Sequence, residues 1–363
     1  MNATKSLLTA ACAIAAILPV DHLAADFVVG TPENLGPAIN SVGYDHAPRL
    51  SEDGLCLYLQ RETGVWMSTR ATKDDPWGTA VHVGSVQDDI RTLLRPFKVM
   101  PGFTTADGLE IYFGWEADLW MMTRETMDAD WGTRVNLGPV VNSPADEIFP
   151  TVSANGLELY FSGYGSEAAT VRPGGYGAAD LWVTKRATRN DPWGVPVNLG
   201  PVVNSTKSDA RAFLSADGLV LLFDSRRPGR YGATDLWMTQ RATLSDPWGT
   251  PQNLGPLVNT SAMEECVSVS ADGSTLYWDS DRSGGYGSND IWQASIAPIV
   301  DFNSDQKVDL VDLVMLIDNW GKNSTLCDIG PTPWGDGKVD IEDLKVFMTH
   351  WEKENPTRPQ DGQ

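Results

Sequence analysis

From residue 27 to residue 298 the apolar positions come in short runs that alternate with polar ones, and no window carries a sustained helical period. The stretch 205–255, STKSDARAFLSADGLVLLFDSRRPGRYGATDLWMTQRATLSDPWGTPQNLG, holds the pattern in full. Residues 210–215 read as a strand closed by the turn Ala216-Asp217-Gly218, and 219–224 as its hairpin partner, because Asp-Gly between two such runs favours a tight turn. A long Gly/Pro loop follows. Residues 235–241 form a third strand, with Leu236 and Met238 on the face opposite Trp237 and Thr239. Asp-Pro-Trp-Gly turns the chain into an outer strand at 250–254. Four strands per repeat of roughly 40–60 residues is the pattern of a propeller blade.

Five copies are present. The Asp/Asn-Gly turn recurs at Asp53, Asp107, Asn155, Asp217 and Asp272, and the third-strand Trp at Trp66, Trp120, Trp182, Trp237 and Trp292. The Trp-Gly turn recurs at Trp77, Trp131, Trp193 and Trp248, so the last copy lacks its outer strand. Pro32-Glu-Asn-Leu-Gly36 matches Pro251-Gln-Asn-Leu-Gly255 and supplies the missing piece. The expected fold is therefore mainly β, a five-bladed β-propeller over 27–298 closed by its N-terminal strand, with no long unpaired edge. The pattern PVNLGPVVNS…SADGLxLxFxSxRPGGYGxxDLW resembles the TolB-like, WD-like propeller repeats of bacterial envelope and secreted proteins. That likeness implies the fold and says little about activity. Copies three to five carry long loops at 172–177, 227–232 and 282–287, copies one and two short ones, and copy two opens irregularly as IRTLLRPFKVMPGF. One side of that face is therefore expected to stand lower, as a cleft or as simple drift in the array.

The remaining chain changes character. Residues 1–25 read as a secretory signal, with Lys5 ahead of an apolar run from Leu7 to Val20 and cleavage expected after Ala25. This places the mature protein outside the cell or in the envelope, without a membrane span. The formal net charge of −21 argues against nucleic acid and anionic membrane surfaces as partners. Cys56, Cys266 and Cys327 remain after the signal, and Cys56 and Cys266 leave two readings open, a bridge between first and last blades or two buried thiols.

Residues 301–351 read as two acidic loops, each followed by a helix, and 352–363 as a disordered tail. DFNSDQKVDLVD places Asp301, Asn303, Asp305, the Lys307 carbonyl, Asp309 and Asp312 at positions 1, 3, 5, 7, 9 and 12 of an EF-hand loop, all oxygen donors as Ca²⁺ requires. Gln306 stands where Gly is usual, at a cost on the order of 1 kcal/mol for a left-handed turn. In the second loop Asp336, the Lys338 carbonyl, Asp340 and Asp343 take positions 5, 7, 9 and 12. Strict spacing puts Thr332 at position 1; Asp328 serves instead if IGPTPWG loops out. Leu310, Leu313, Val314, Ile317 and Trp320 are expected along one face of the first helix, and Ile341, Leu344, Phe347, Met348 and Trp351 along one face of the second. The pair resembles a type I dockerin, a resemblance that implies calcium and a cohesin-like or envelope partner. The dockerin contact positions hold Leu310-Val311 and Ile341-Glu342 in place of the usual hydroxyl pair.

For the propeller itself, Asp45, Glu147, Asp209 and Glu264 stand eight residues before their turns, with Val99 in the second copy. They are expected at the channel mouth, accepting hydrogen bonds from neighbouring blades, or acting as acid and base on a glycan. His46, Arg49, Tyr176, Tyr231 and Tyr286 are the candidates for ligand contact. Nine of the fourteen Trp fall at repeat positions and are expected between blades. No GxSxG, HExxH or phosphate loop is present. The pattern suits a secreted binding or assembly protein with a glycan or protein partner; the alternative is a polysaccharide-degrading enzyme, a glycoside hydrolase or lyase.

Overall fold

The computed structural model describes residues 27–84, 103–164, 172–305, 307–322, 324 and 326–354. The signal, the irregular opening of the second copy with Val99, Gln306 and the tail from residue 355 on lie outside them, while 352–354 of the expected tail continue the last helix. Four antiparallel strands make up blade one: β3 (His46–Leu50), β4 (Cys56–Arg61), β5 (Gly64–Thr69) and β6 (Val81–Gly84). Blade two has β7 (Glu110–Trp115), β8 (Asp118–Thr123) and β9 (Val135–Asn136), with Thr104 bridged to Ile111 on the inner side. Blade three has β10 (Asp146–Val152), β11 (Glu158–Tyr164), β12 (Ala179–Lys185) and β13 (Val197–Asn198). Blade four has β14 (Asp209–Leu214), β15 (Val220–Ser225), β16 (Asp235–Gln240) and β17 (Gln252–Asn253).

Blade five comprises β18 (Glu264–Val269), β19 (Thr275–Ser280) and β20 (Asp290–Pro298), and its outer edge is built from the other end of the chain. Both β1 (Phe27–Val29) and β2 (Glu33–Asn34) pair antiparallel with β20, Glu33 opposite Gln293 and Phe27 opposite Pro298. The N-terminal segment thus closes the ring as its sequence match to the outer strands predicts. The expected outer strands prove short, two residues in blades two to four, because each outer segment bends quickly into the crossover to the next blade. One such crossover holds a single helical turn, α1 (Gly200–Val203).

The second and third strands pack blade against blade. Leu57, Ile111, Leu159, Phe223 and Trp278 are buried at successive seams, where a flat sheet face can be covered only by its neighbour. The Asp/Asn-Gly and Trp-Gly turns lie at one end of the blades, the lower face. The long loops and the crossovers lie at the other, the upper face. Cys56, Cys266 and Cys327 are free thiols.

Beyond β20 the chain forms α2 (Leu310–Asp318) and α3 (Ile341–Glu354) around a small core of Phe302, Leu316, Cys327, Ile329 and Phe347. The buried residues of α2 are Asp312 and Leu316, and of the expected apolar face Leu313 packs partly against this core. Leu310, Val314 and Ile317 remain exposed on α2, as do Trp320 just beyond it and Ile341 and Met348 on α3.

Candidate functional site

The four repeat acids are fully buried, and each is neutralised within its own blade. Glu147 accepts from Arg172 at 2.7 Å and from the Ser143 amide at 2.8 Å. Asp209 accepts from Arg227 at 2.6 Å and from the Ser205 amide at 2.5 Å. Glu264 pairs with Arg282 at 3.1 Å, and Asp45 with Arg61. Each arginine also reaches a crossover carbonyl, Ile39, Val141, Val203 or Val258, and lies over the third-strand Trp of its blade, Trp66, Trp182, Trp237 or Trp292. Among the described residues these carboxylates therefore take their side-chain hydrogen bonds from their own blade and the incoming crossover, not from neighbouring blades. Burial pushes the Glu147 carboxyl up, while Ser143 and Arg172 pull it back. The arginines that open RPGGYG, RPGRYG and RSGGYG were the readable sign of this pairing.

Two residues after each acid the inner strand bulges. Ala47, Phe149, Arg211 and Cys266 sit at φ of 54°, 55°, 52° and 52°, a left-handed backbone that costs a non-glycine residue roughly 1–2 kcal/mol. Three of these bulges turn an amide into the preceding blade: Ala47 N–H to Asp279 at 3.0 Å, Arg211 N–H to Ser162 at 2.9 Å and Cys266 N–H to Asp224 at 3.4 Å. The bulge thereby brings a second set of acids together. Arg211 Nη1 lies 3.1 Å from Asp224 and 3.1 Å from Glu265, and Glu265 stands opposite Asp279 in the β18–β19 register.

All three carboxylates are buried. Burial pushes Asp224 up to about 7, with Arg211 opposing and Glu265 adding to the rise. Burial likewise raises Asp279 to about 6, against hydrogen bonds from Ala47 and Asn289. His46 is lowered by burial and by Arg211. Burial works against the charge of Arg211, but Asp224, Cys266, Tyr164 and Glu265 hold it well above its ordinary value. Phe149 lies under Arg211 and edge-on to Tyr164, and Tyr44 packs on His46. Arg49 is buried, donates to the Cys266 and Val267 carbonyls and lies over Phe103. Its Nε, like the Asn289 Oδ1, has no hydrogen-bond partner among the described residues. The cluster thus gathers three buried carboxyls around one shared arginine, beside two buried polar atoms that lack a hydrogen-bond partner among the described residues.

Of the sequence candidates, His46 and Arg49 belong to this cluster. Tyr176, Tyr231 and Tyr286 do not: they are exposed on the long loops, where their backbone amides cap Asp180, Asp235 and Asp290. Asp224, Glu265 and Asp279 were missed. Their signal is a charge inside an apolar run, LVLLFDS and STLYWDS, and the doubled acid of Glu264-Glu265.

The C-terminal loops repeat one hydrogen-bond pattern. In the first, Asp301 accepts from the Asp305 amide, Asp305 from Lys307, and Asp312 from Phe302 and Asp309. In the second, Asp328 accepts from Asp336, Asp336 from Lys338, and Asp343 from Ile329 and Asp340. Asp328 thus holds the place of Asp301 and Ile329 that of Phe302, and the inserted residues that follow Ile329 loop out. Thr332 turns away, toward Asp217 of the propeller. Burial raises Asp328 to about 7, and the neighbouring Asp343 and Asp336 add to the rise. The donors fit Ca²⁺ in kind and in register. Among the described residues, no three acidic, His or Cys side chains converge on one point as they stand.

A cleft of about 400 Å³ between blades one and five, lined by Arg70, Lys73, Asp272 and Tyr277, lies on the lower face away from the carboxylate cluster. Among the described residues no helix is long and apolar enough to cross a membrane.

The chain is by its architecture a five-bladed β-propeller. No family model and no curated protein matches it. Among solved structures it is similar to a putative TolB from Agrobacterium tumefaciens, at 15% identity over 72% of this chain and 79% of that one, TM-score 0.39. It is similar too to TolB from Acinetobacter baumannii, at 14% identity over 74% and 63% of the two chains, TM-score 0.41. An α-L-arabinofuranosidase from Podospora anserina matches at 11% identity over 74% and 98%, TM-score 0.46.

Proposed function

We propose that the chain is a secreted or envelope binding and assembly protein. In this reading a calcium-dependent, dockerin-like module attaches it to a cohesin-like or envelope protein, and the propeller takes a glycan or protein partner. The observation that carries the reading is the apolar row on α2. Leu310, Val311, Val314 and Ile317 are 66, 51, 54 and 54 % exposed, immediately after a loop whose twin repeats its hydrogen bonds. A module this small does not leave such a row to water without a use for it. Asp301, Asn303, Asp305, Lys307 O, Asp309 and Asp312 would hold one ion, and Asp328, Asp336, Lys338 O, Asp340 and Asp343 the other. Bound calcium supplies charge neutralisation for the crowded carboxylates, and the residues themselves fix the start of each helix. The test is amide hydrogen exchange on the full chain with and without chelator. Calcium should slow exchange across 310–318 and 341–354, and Asp312→Ala should remove the effect in the first helix. Identical exchange under both conditions would end the calcium reading.

The enzyme alternative is favoured by a different observation, the raised carboxyls of Asp224 and Asp279 beside Glu265. Glycoside hydrolysis needs one protonated and one ionised carboxyl flanking the bond. A hydrolysis screen against polysaccharides, with Asp224→Asn and Glu265→Gln as controls, decides between the two. Turnover lost in the variants at an unchanged melting temperature supports an enzyme, and no turnover on any substrate leaves the binding role.

A further inference from the structure

The seams between blades follow one rule, and the seam between blades four and five meets it with residues from another part of the chain. At each other seam the Trp of the Trp-Gly turn packs with a second-strand Tyr of the preceding blade. Trp131 clusters with Tyr58 and Trp77 with Tyr277. Trp193 meets Tyr112 edge-on at 5.8 Å, and Trp248 meets Tyr160 at 6.0 Å. Blade five has no Trp-Gly turn of its own, because its outer strand comes from the N-terminus. The second-strand residue of blade four is Leu222, and Val220 stands where blades two and three have Glu110 and Glu158.

Into this apolar seam comes Trp334, from the segment Pro333-Trp334-Gly335 that interrupts the second acidic loop. Trp334 is 8 % exposed and shares a core cluster with Val220, Leu222, Leu276 and Phe27. Its ring meets Phe27 edge-on at 6.4 Å, and its Nε1 donates to Asp217 Oδ2 at 2.8 Å. Asp217 belongs to the lower turn of blade four. The equivalent turn acids Asp107 and Asp272 use the same outward oxygen to bridge to Arg189 and Lys73 of the following blade. Gly273, in the lower turn of blade five, has no room for a Cβ, which would stand 2.8 Å from Pro333 and 3.1 Å from Trp334.

We propose that Pro333-Trp334-Gly335 is the fifth Trp-Gly turn of the ring, and that the C-terminal module is a latch on the seam where the chain's two ends meet. The base of this segment is tied by Asp328, which accepts from the Asp336 and Gly337 amides at 2.8 and 2.6 Å, so the second acidic loop and the latch are one structure. Resting on the calcium reading above, ion binding at that loop tightens the latch and stabilises the propeller, by linkage between binding and folding. The propeller and module then do not melt independently.

The experiment is thermal unfolding of the full chain, followed by its β-sheet circular dichroism, for the wild type, Trp334→Ala, Trp334→Phe and Trp320→Ala. In chelator, Trp334→Ala should melt below the wild type, Trp334→Phe in between because it keeps the ring and loses the donor, and Trp320→Ala with the wild type. In calcium, the wild-type transition should rise, and this rise should be lost in Trp334→Ala while calorimetry still records ion uptake by the first loop. Should Trp334→Ala not fold, Trp334→Phe stands in for it, and melting below the wild type supports the latch. Equal melting of the wild type and every Trp334 variant that folds, in chelator, overturns the latch. No calorimetric uptake by the wild type overturns the calcium reading alone, and a wild-type sheet transition that ignores bound calcium overturns the coupling.

Discussion

Asp209 and Asp224 stand on the paired strands β14 and β15, one ladder step apart and on opposite faces of the sheet. Both are buried, yet their surroundings differ. Asp209 has Arg227, the Ser225 hydroxyl and the Ser205 amide to itself. Asp224 shares Arg211 with Glu265. One cation per acid makes a staple that ties crossover, loop and inner strand together. One cation shared between acids leaves charge uncompensated, and the carboxyl answers by holding its proton. Burial alone therefore does not separate these two acids; whether each has a cation to itself does.

The comparison is broken most directly at the staple. Arg227→Ala leaves Asp209 buried without its cation and should cost about 3–5 kcal/mol in urea unfolding. A loss under about 1 kcal/mol would mean that the serine contacts suffice. A smaller effect is expected at Asp224, in the opposite sense. Its carboxyl is raised to about 7 in the folded chain against 3.8 for the ordinary group, so the folded state binds the proton more tightly. The sign follows: this group favours folding at pH 4 and loses that contribution as pH rises through 7. Asp224→Asn should flatten the fall in stability between pH 4 and 7, whereas an unchanged slope would place the proton elsewhere. The smallest effect belongs to the bulge that turns an amide toward Asp279. Ala47→Gly relieves the left-handed backbone and should raise stability by about 0.5–1 kcal/mol, with the amide contact kept. Destabilisation there would show that the Ala47 methyl packs against something the strain argument ignores.

The blades were legible because their signals are local. Asp-Gly turns, alternating strands and the match of Pro32–Gly36 to Pro251–Gly255 need only neighbouring residues to be read, and β2 lies beside β20 accordingly. The candidate acids were legible as repeat positions, but not their partners. Asp45, Glu147, Asp209 and Glu264 face arginines 16 to 25 positions along the chain, at a distance set by loop length. The helices after the acidic loops were also readable. Which face of α2 packs was not, because the stripe of Leu310, Val314 and Ile317 satisfies the helical period as well as Leu313 and Leu316 do.

By itself the sequence determined the count of blades and the closure of the ring by its N-terminal strand, since each is written in short repeated motifs. Only the tertiary structure decided that Asp224, Glu265 and Asp279 meet around Arg211, and that Trp334 stands in the seam of blades four and five. These contacts join residues far apart in the chain, and what brings them together is the curvature of a closed ring, in which each blade must cover the next.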